Sequence, residues 1–239
     1  MATPTIDIRG GIRLIGTAAY IKPRKTLVFS DFHIGYEQAL LSKGILIPKT
    51  HFSQLLSDAK QILQATKPEM VIVTGDVKHD FGGISEQEWR EASRLINLLK
   101  QGRELVLIQG NHDNILKPIA DKKDLALHDS YHLGDFLFLH GDKQMRVPKE
   151  VKTVIMGHEH PALDLKSPVR TERYKCFISA RWRSRQLIVL PSSNPLFEGT
   201  DVRQGCLGPI LPKAAIREYF VLGDRFYRFP ASAIDNFIF

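Results

Sequence analysis

Residues 105–113 read Leu-Val-Leu-Ile-Gln-Gly-Asn-His-Asp. Four apolar residues run without a break. They stop just before a glycine, and three side chains that bind metals or carry protons follow. A short apolar run with no polar alternation reads as a strand buried on both faces. In open α/β sheets, sites form beyond the C-terminal ends of such strands.

The same pattern recurs on both sides of this stretch. Leu27-Val28-Phe29 stops at Ser30-Asp31-Phe32-His33, and Met70-Val71-Ile72-Val73 stops at Gly75-Asp76. Phe136-Leu137-Phe138-Leu139 stops at His140-Gly141-Asp142, and Val154-Ile155-Met156 stops at Gly157-His158-Glu159-His160. Helical segments lie between the early runs. His51 to Ala65 carries Phe52, Leu55, Leu56, Ala59, Ile62 and Leu63 at helical spacing, and Pro68 marks its end. Ser85 and Glu88 stand at capping-box spacing and open a second helix. Its Trp89, Ala92, Leu95, Ile96 and Leu99 form one core-facing stripe, and Gly102 follows as a stop. After residue 160 the pattern turns β-rich. Cys176-Phe177-Ile178 and Leu187 to Leu190 read as strands, and Tyr219–Val221 and Arg225–Phe229 as a hairpin around Gly223-Asp224.

A chain of 239 residues fits one α/β domain spanning 1–239. The 33 Lys and Arg against 26 Asp and Glu give a net charge of +7, which favours polyanionic partners and says nothing of the fold. Cys176 and Cys206 form no CxxC pair and are too few for a disulfide scaffold, which suits a reducing compartment. Met1 to Gly10 holds no apolar signal core, and no apolar run approaches the ~20 residues that span a bilayer. The expectation is a cytoplasmic chain with no membrane association.

Of the nine histidines, His33, His112, His140, His158 and His160 fall in the strand-end motifs, and His79 lies three residues after Asp76. Mixed Asp, His and Asn ligation without thiolate favours Mn, Fe or Zn over Ca or Mg. Two such ions about 3.5–4 Å apart can activate water and clamp phosphoryl oxygens at once. That arrangement needs one bridging carboxylate and terminal ligands on each side.

Asp31-x-His33, Gly75-Asp76, Gly110-Asn111-His112-Asp113, His140 and Gly157-His158-x-His160, in this order, resemble the motifs of the calcineurin-like metallophosphoesterase superfamily. The resemblance implies a four-layer α/β/β/α sandwich of two mixed sheets with the metal site at one edge. It implies that Asp31, His33 and His160 bind a first metal, that Asp76 bridges, and that Asn111, His140 and His158 bind a second. His112 would face the substrate and assist the leaving oxygen, a task suited to a side chain that titrates near neutral pH. Asp142 and Glu159 read as supporting or solvated residues, Asp113 as an orienter of His112, and Gly75, Gly110 and Gly157 as turn formers. His51, His128 and His132 match no motif and read as structural.

Ser/Thr protein phosphatases of this superfamily carry GDxxD in the second motif, whereas this chain has Gly75-Asp76-Val77-Lys78-His79. A histidine there resembles SbcD-type DNA-repair nucleases, which makes His79 a second catalytic candidate. Asp76 to Arg90 and Pro191 to Val202, with Asn194-Pro195-Leu196 and Gly199-Thr200-Asp201, are similar to the small SbcD-related phosphoesterases. That group implies a manganese-dependent phosphodiesterase acting on single-stranded or structured DNA in repair, with iron, zinc or nickel as alternative metals. It also implies a possible Lhr-type helicase partner. The 79 residues after residue 160 look too short for both the capping domain and the ATPase-docking segment of full-length SbcD nucleases. A small-molecule phosphodiesterase or phosphatase, for example for cyclic nucleotides, and a non-catalytic scaffold are the alternatives.

Lys166 to Arg185 holds seven basic residues, Lys166, Arg170, Arg173, Lys175, Arg181, Arg183 and Arg185, with Glu172 as the one acid. If 181–185 were a strand, the three arginines would share one face and could follow a phosphate backbone, with Trp182 stacking on a base. The alternative is a solvated hairpin whose Trp182 closes the core.

Overall fold

Alternation decides which side chains of each strand meet which layer. The computed structural model describes residues 3–47, 50–79, 85–113, 116–166 and 170–234. The strands are β1 (Thr5–Ile8), β2 (Ile12–Ile15), β3 (Ala18–Ile21), β4 (Thr26–Phe29), β5 (Met70–Thr74), β6 (Glu104–Ile108), β7 (Leu127–His128) and β8 (Ser130–Leu133). They continue with β9 (Phe136–Leu139), β10 (Thr153–Met156), β11 (Pro161–Lys166), β12 (Thr171–Trp182), β13 (Arg185–Val189), β14 (Thr200–Asp201), β15 (Ile216–Leu222) and β16 (Phe226–Pro230). The helices are α1 (Tyr36–Ser42), α2 (His51–Thr66), α3 (Glu86–Lys100), α4 (Lys117–Lys122) and α5 (Ala231–Ile234).

The first sheet runs β1-β2-β3-β4-β5-β6-β7. Its first four strands pair antiparallel and β4 to β7 pair parallel. The second sheet orders β14-β11-β12-β13-β10-β9-β8, with β15 and β16 branching from β12. It is mixed as well, parallel through β9, β10 and β13 and antiparallel elsewhere except at β14.

On one face of the first sheet, Leu27, Phe29, Val71, Val73, Leu105 and Leu107 pack against Leu55, Ile62, Leu95 and Ile96 of α2 and α3. On the other face Val28, Ile72, Val106 and Ile108 meet Phe136, Phe138, Ile155, Phe177 and Ile188 of the second sheet. This is the central core, and its two-sided burial explains why the early strands are apolar throughout. The outer face of the second sheet, with Leu137, Met156, Trp182 and Val189, packs on Met145, Val147, Ile210, Leu211 and Ile234. Its outermost layer is therefore irregular chain and the one-turn α5 rather than long helices.

Ser85 caps α3 with a complete capping box: its hydroxyl accepts from the Glu88 N–H and Glu88 Oε2 accepts from the Ser85 N–H. Of the two readings of residues 181–185, the hairpin holds and the continuous strand does not. β12 ends at Trp182, and Arg183 and Ser184 take positive φ (48° and 66°) to turn the chain into β13. Trp182 is buried in the outer core, so it closes the fold. Arg183 lies over its ring at 4.7 Å, and Arg185 donates to the Val151 and Pro148 carbonyls. Arg173 forks onto Asp164, and Arg170 pairs with Glu172. The side chain of Lys166 lies outside the described part.

Candidate metal centre

All five motifs emerge from strand C-termini at one edge: β4, β5 and β6 from the first sheet, β9 and β10 from the second. The loops interlock through backbone hydrogen bonds. The Asp31 N–H donates to the Gly75 carbonyl at 3.1 Å, His33 N–H to Asp76 at 2.9 Å, and Gly157 N–H to His140 at 3.0 Å.

Asp31 (φ 53°), His33 (45°), Asp76 (49°), His158 (68°) and His160 (42°) all hold left-handed backbone. For residues with a Cβ this costs about 1 kcal/mol or more each, and it persists only where the surroundings over-determine it. Five of the seven expected metal ligands share this strain. The loops bend sharply so that the side chains converge.

Two clusters result. In the first, His33 Nε2 lies 3.1 Å from His160 Nε2, and His160 Nε2 lies 3.3 Å from Asp31 Oδ1. The ligand atoms of Asp31, His33, Asp76 and His160 all fall within 4.8 Å of one another. In the second, His140 Nε2 is 3.0 Å from Asn111 Oδ1 and 3.2 Å from His158 Nδ1, which is itself 3.1 Å from Asn111 Oδ1. Atoms held ~2.1 Å from one ion stand about 3.0–3.4 Å apart, depending on the coordination angle. Both clusters have that spacing.

Asp76 lies between them. Its Oδ1 accepts the His112 N–H at 2.9 Å. Among the described residues its Oδ2 is buried without a hydrogen-bond partner, 3.9 Å from His33 Nε2 and 3.4 Å from His140 Nε2. An orphaned buried carboxylate oxygen is costly unless a cation completes it.

The tautomers point the same way. His140 Nδ1 sits 2.9 Å from the Thr74 carbonyl, which can only accept, so Nδ1 carries the hydrogen. Its Nε2 then faces Asn111 Oδ1, His158 Nδ1 and Asp76 Oδ2. Such a convergence of lone pairs is stable only around positive charge, whether a proton or a metal ion. Burial alone would lower the pKa of His140, but its contact with Asp76 and the charge of Asp31 raise it to about 10. Burial and the neighbouring His160 push His33 down to about 3, which keeps it a neutral donor of lone pairs. Burial works against charge on Asp31, yet His160 and His140 hold its carboxyl below the usual range.

His112 and His79 lie beside the first cluster. Their rings stack at 5.3 Å and 17°, and His112 Nδ1 is 2.5 Å from the His79 carbonyl. His79 Nδ1 is 3.4 Å from His33 Nδ1. All nine expected site residues are thus brought together.

Residues 24–147 match the family model described as calcineurin-like phosphoesterase. The chain belongs to that family. The crystal structure of Pseudomonas putida nuclease MPE has a similar fold, with TM-score 0.67 and 21% identity over 95% of this chain and all of that one. Yfce, a phosphoesterase from E. coli, is 13% identical, with TM-score 0.37 over 83% of this chain and 88% of that one. No curated protein matches the chain in sequence. The chain is a metal-dependent phosphoesterase, and the Asp and His cluster around Asp76 has the donors a divalent ion requires.

The surroundings of this phosphoesterase site correct two expectations and bear out Glu159 as a supporting residue. Asp113 does not orient His112. Its buried carboxylate accepts from the Gly110 N–H at 3.0 Å and the Lys78 N–H at 3.2 Å, buckling two site loops together. Burial and the nearby Asp76 push it up to about 7. Gly110 and Gly157 are not turn formers but close-approach positions. A Cβ on Gly110 would sit 2.1 Å from Asp76 Oδ1, and one on Gly157 would sit 1.7 Å from Ser30 Oγ. Glu159 is buried and accepts from the N–H groups of Leu207 and Gly208, seating that segment beside His158.

The segment 191–197 contributes supports that motif reading did not assign. Ser192 Oγ donates to the Asp31 carbonyl at 2.7 Å, and Asn194 Nδ2 donates to the Phe32 carbonyl at 2.9 Å. The Phe197 ring stacks on His33 at 4.8 Å and meets His160 edge-on at 4.6 Å. The turn signal in Ser192-Ser193-Asn194-Pro195 was legible, but its target was not.

Proposed function

We propose that this phosphoesterase hydrolyses phosphodiester bonds in DNA with two divalent cations, manganese foremost, and belongs with the small SbcD-related enzymes of its family. The observation that carries the two-cation reading is Asp76 Oδ2, buried between two ligand clusters and without a hydrogen bond among the described residues. Asp31, His33 and His160 would hold one ion, Asn111, His140 and His158 the other, and Asp76 both. Bound there, the ions supply a nucleophile from water and neutralise charge on the phosphoryl oxygens.

The remaining roles belong to the chain itself. The His79 carbonyl fixes the His112 tautomer with hydrogen on Nδ1, which assigns proton transfer to Nε2. The His112 N–H to Asp76 bond ties this proton carrier to the carboxylate shared by both clusters. His79, flat against it, keeps the ring from rotating. A diester leaves as an alkoxide that needs a proton, and a histidine at this place supplies one. The net charge of +7 and the similarity in fold to a nuclease support DNA as the substrate.

The test is purified protein with Mn²⁺ on bis-p-nitrophenyl phosphate, p-nitrophenyl phosphate and labelled single-stranded DNA, beside His112→Ala and Asp76→Ala. Cleavage of the diester and the DNA, lost in both variants, is the expected result. Cleavage of the monoester alone would overturn the nuclease reading.

A further inference from the structure

The edge of the sandwich opposite the metal centre carries a groove of about 540 Å³. Its position follows from strand direction. His158 and His160 follow the C-terminal end of β10, and Arg185 begins the parallel neighbour β13 at the other end. Arg181 pairs with Gln186 beside it, and Arg217 opens β15 next to the same end of β12. Arg9 lies in the turn between β1 and β2, on the side where β4 begins. The groove therefore joins the two sheets at the end remote from Asp31 and Asp76.

Its lining is one-sided in charge. Among the described residues, Arg9, Arg181, Arg185, Arg217 and Arg228 line it, with Glu218 as the single acid. Glu218 is already paired with Arg228. Arg185 is held by backbone carbonyls, and Arg217 makes one long bond, 3.4 Å, to the Ala214 carbonyl. The guanidiniums of Arg9 and Arg181 are exposed and make no hydrogen bond or ion pair with any other described residue. With Arg228 neutralised by Glu218, four guanidiniums of like charge share one groove and repel one another, an arrangement that an anion relieves. Among the described residues the lining holds no aromatic ring on which a base could stack, which leaves phosphate oxygens as the groups it suits. The groove is also far larger than one phosphate needs.

We propose that this groove is a second, non-catalytic binding site for the sugar–phosphate backbone of a single nucleic-acid strand, which it holds without regard to sequence. The choice of nucleic acid among polyanions rests on the reading of DNA as substrate. A strand occupying both edges would be anchored at the groove while another part of it reaches the metal centre. Guanidinium forks suit this because they grip phosphates in pairs of hydrogen bonds.

The experiment compares the wild-type chain with Arg9→Glu/Arg181→Glu and Arg9→Lys/Arg181→Lys. Binding of a fluorescent single strand of about 30 nucleotides, and of one of about 6, is followed by anisotropy in EDTA over a range of salt. Charge reversal should weaken binding of the long strand by roughly tenfold or more and flatten its log–log salt slope by about 1.4, two phosphate contacts for a single strand. The Lys variant should stay near wild type, and hydrolysis of bis-p-nitrophenyl phosphate should not change, because neither arginine touches the metal centre. Unchanged affinity and slope for the long strand would overturn the proposal, and so would an equal loss for the short one. Binding is read without cleavage, so a chain that binds through the groove but cuts no DNA fails the nuclease reading alone.

Discussion

Lys175 Nζ donates to the carbonyl oxygen of Ser192 at 2.9 Å, and a second bond goes to the carbonyl of Asn194. Ser192 and Asn194 in turn hold the carbonyls of Asp31 and Phe32. A half-buried ammonium on β12 therefore clamps a strap that clamps the first metal loop, with no ligand of its own to contribute. Burial lowers Lys175 to about 7, so its ammonium forms fully only below neutral pH, where hydrogen bonds from a charged donor are worth about 1.5–3 kcal/mol each. Lys175→Met should weaken Mn²⁺ binding at least tenfold by titration calorimetry and lower the melting temperature, while Lys175→Arg recovers part of both. Wild-type Mn²⁺ affinity in Lys175→Met would show that the strap does not position the loop.

The orphaned Asp76 Oδ2 makes a thermal prediction. Metal that binds only the folded chain stabilises it by about 2.7 kcal/mol at a hundredfold excess over Kd. For a chain of this size that is a rise of roughly 5–10 °C in Tm. Asp76→Asn keeps the volume and removes the charge that both clusters share. It should lose most of the Mn²⁺-induced rise in differential scanning fluorimetry. A variant that retained the full rise would exclude Asp76 as the shared ligand.

Gly157 tests how tightly the site is built. Its φ is not in the left-handed region, so alanine is excluded by space rather than backbone. The added Cβ would sit 1.7 Å from Ser30 Oγ and 2.4 Å from Asp31 Oδ2. Either Ser30 turns aside and Asp31 gives way, or the His158–His160 loop moves by more than an ångström. A displacement of that size in a catalytic constellation costs about a hundredfold in rate. Gly157→Ala should fold, because the clash lies at one edge, and should lose about a hundredfold or more in kcat on bis-p-nitrophenyl phosphate. Near-normal turnover would mean that the loop carries slack the geometry does not show.

The five motif strands, and the convergence of nine side chains at their ends, were legible because each carries its signal locally: an apolar run, then an Asp, His or Asn. The strands β1, β2 and β3 were not read, although Gly10-Gly11 and Gly16 mark their turns. Arg13 interrupts the apolar run of β2, and β1 is exposed on alternate residues, so neither looks like a strand buried on both faces. Of the two readings of residues 181–185, alternation suggested a strand, but the left-handed Arg183-Ser184 turn gives the hairpin whose Trp182 closes the core. The roles of Asp113, Lys175, Ser192 and Asn194 lie in contacts to backbone atoms distant in sequence. Side-chain identity does not encode those partners, so only the folded chain could show them.

Cys206 reports on the segment beside the site. Burial and the charge of Glu159 push its thiol up to about 11. Glu159 also binds the N–H groups of Leu207 and Gly208, and Gly208 fits against His158 so closely that an added Cβ would be 2.9 Å from its ring. Thiolate is the reactive form, and a free cysteine titrates near 8.5. At pH 8 the thiolate fraction of Cys206 is about one in a thousand, against about one in four for a free cysteine. Alkylation by iodoacetamide should be slower than for free cysteine by more than a hundredfold and rise about tenfold per pH unit up to about pH 11. Cys176, fully buried with its thiol raised further, should stay unlabelled until the chain unfolds. Mass spectrometry of the two peptides across pH separates them. Labelling of Cys206 at the free-cysteine rate at pH 8 would mean that the 206–208 segment leaves Glu159 in solution, and with it the close contact of Gly208 with the His158 ring.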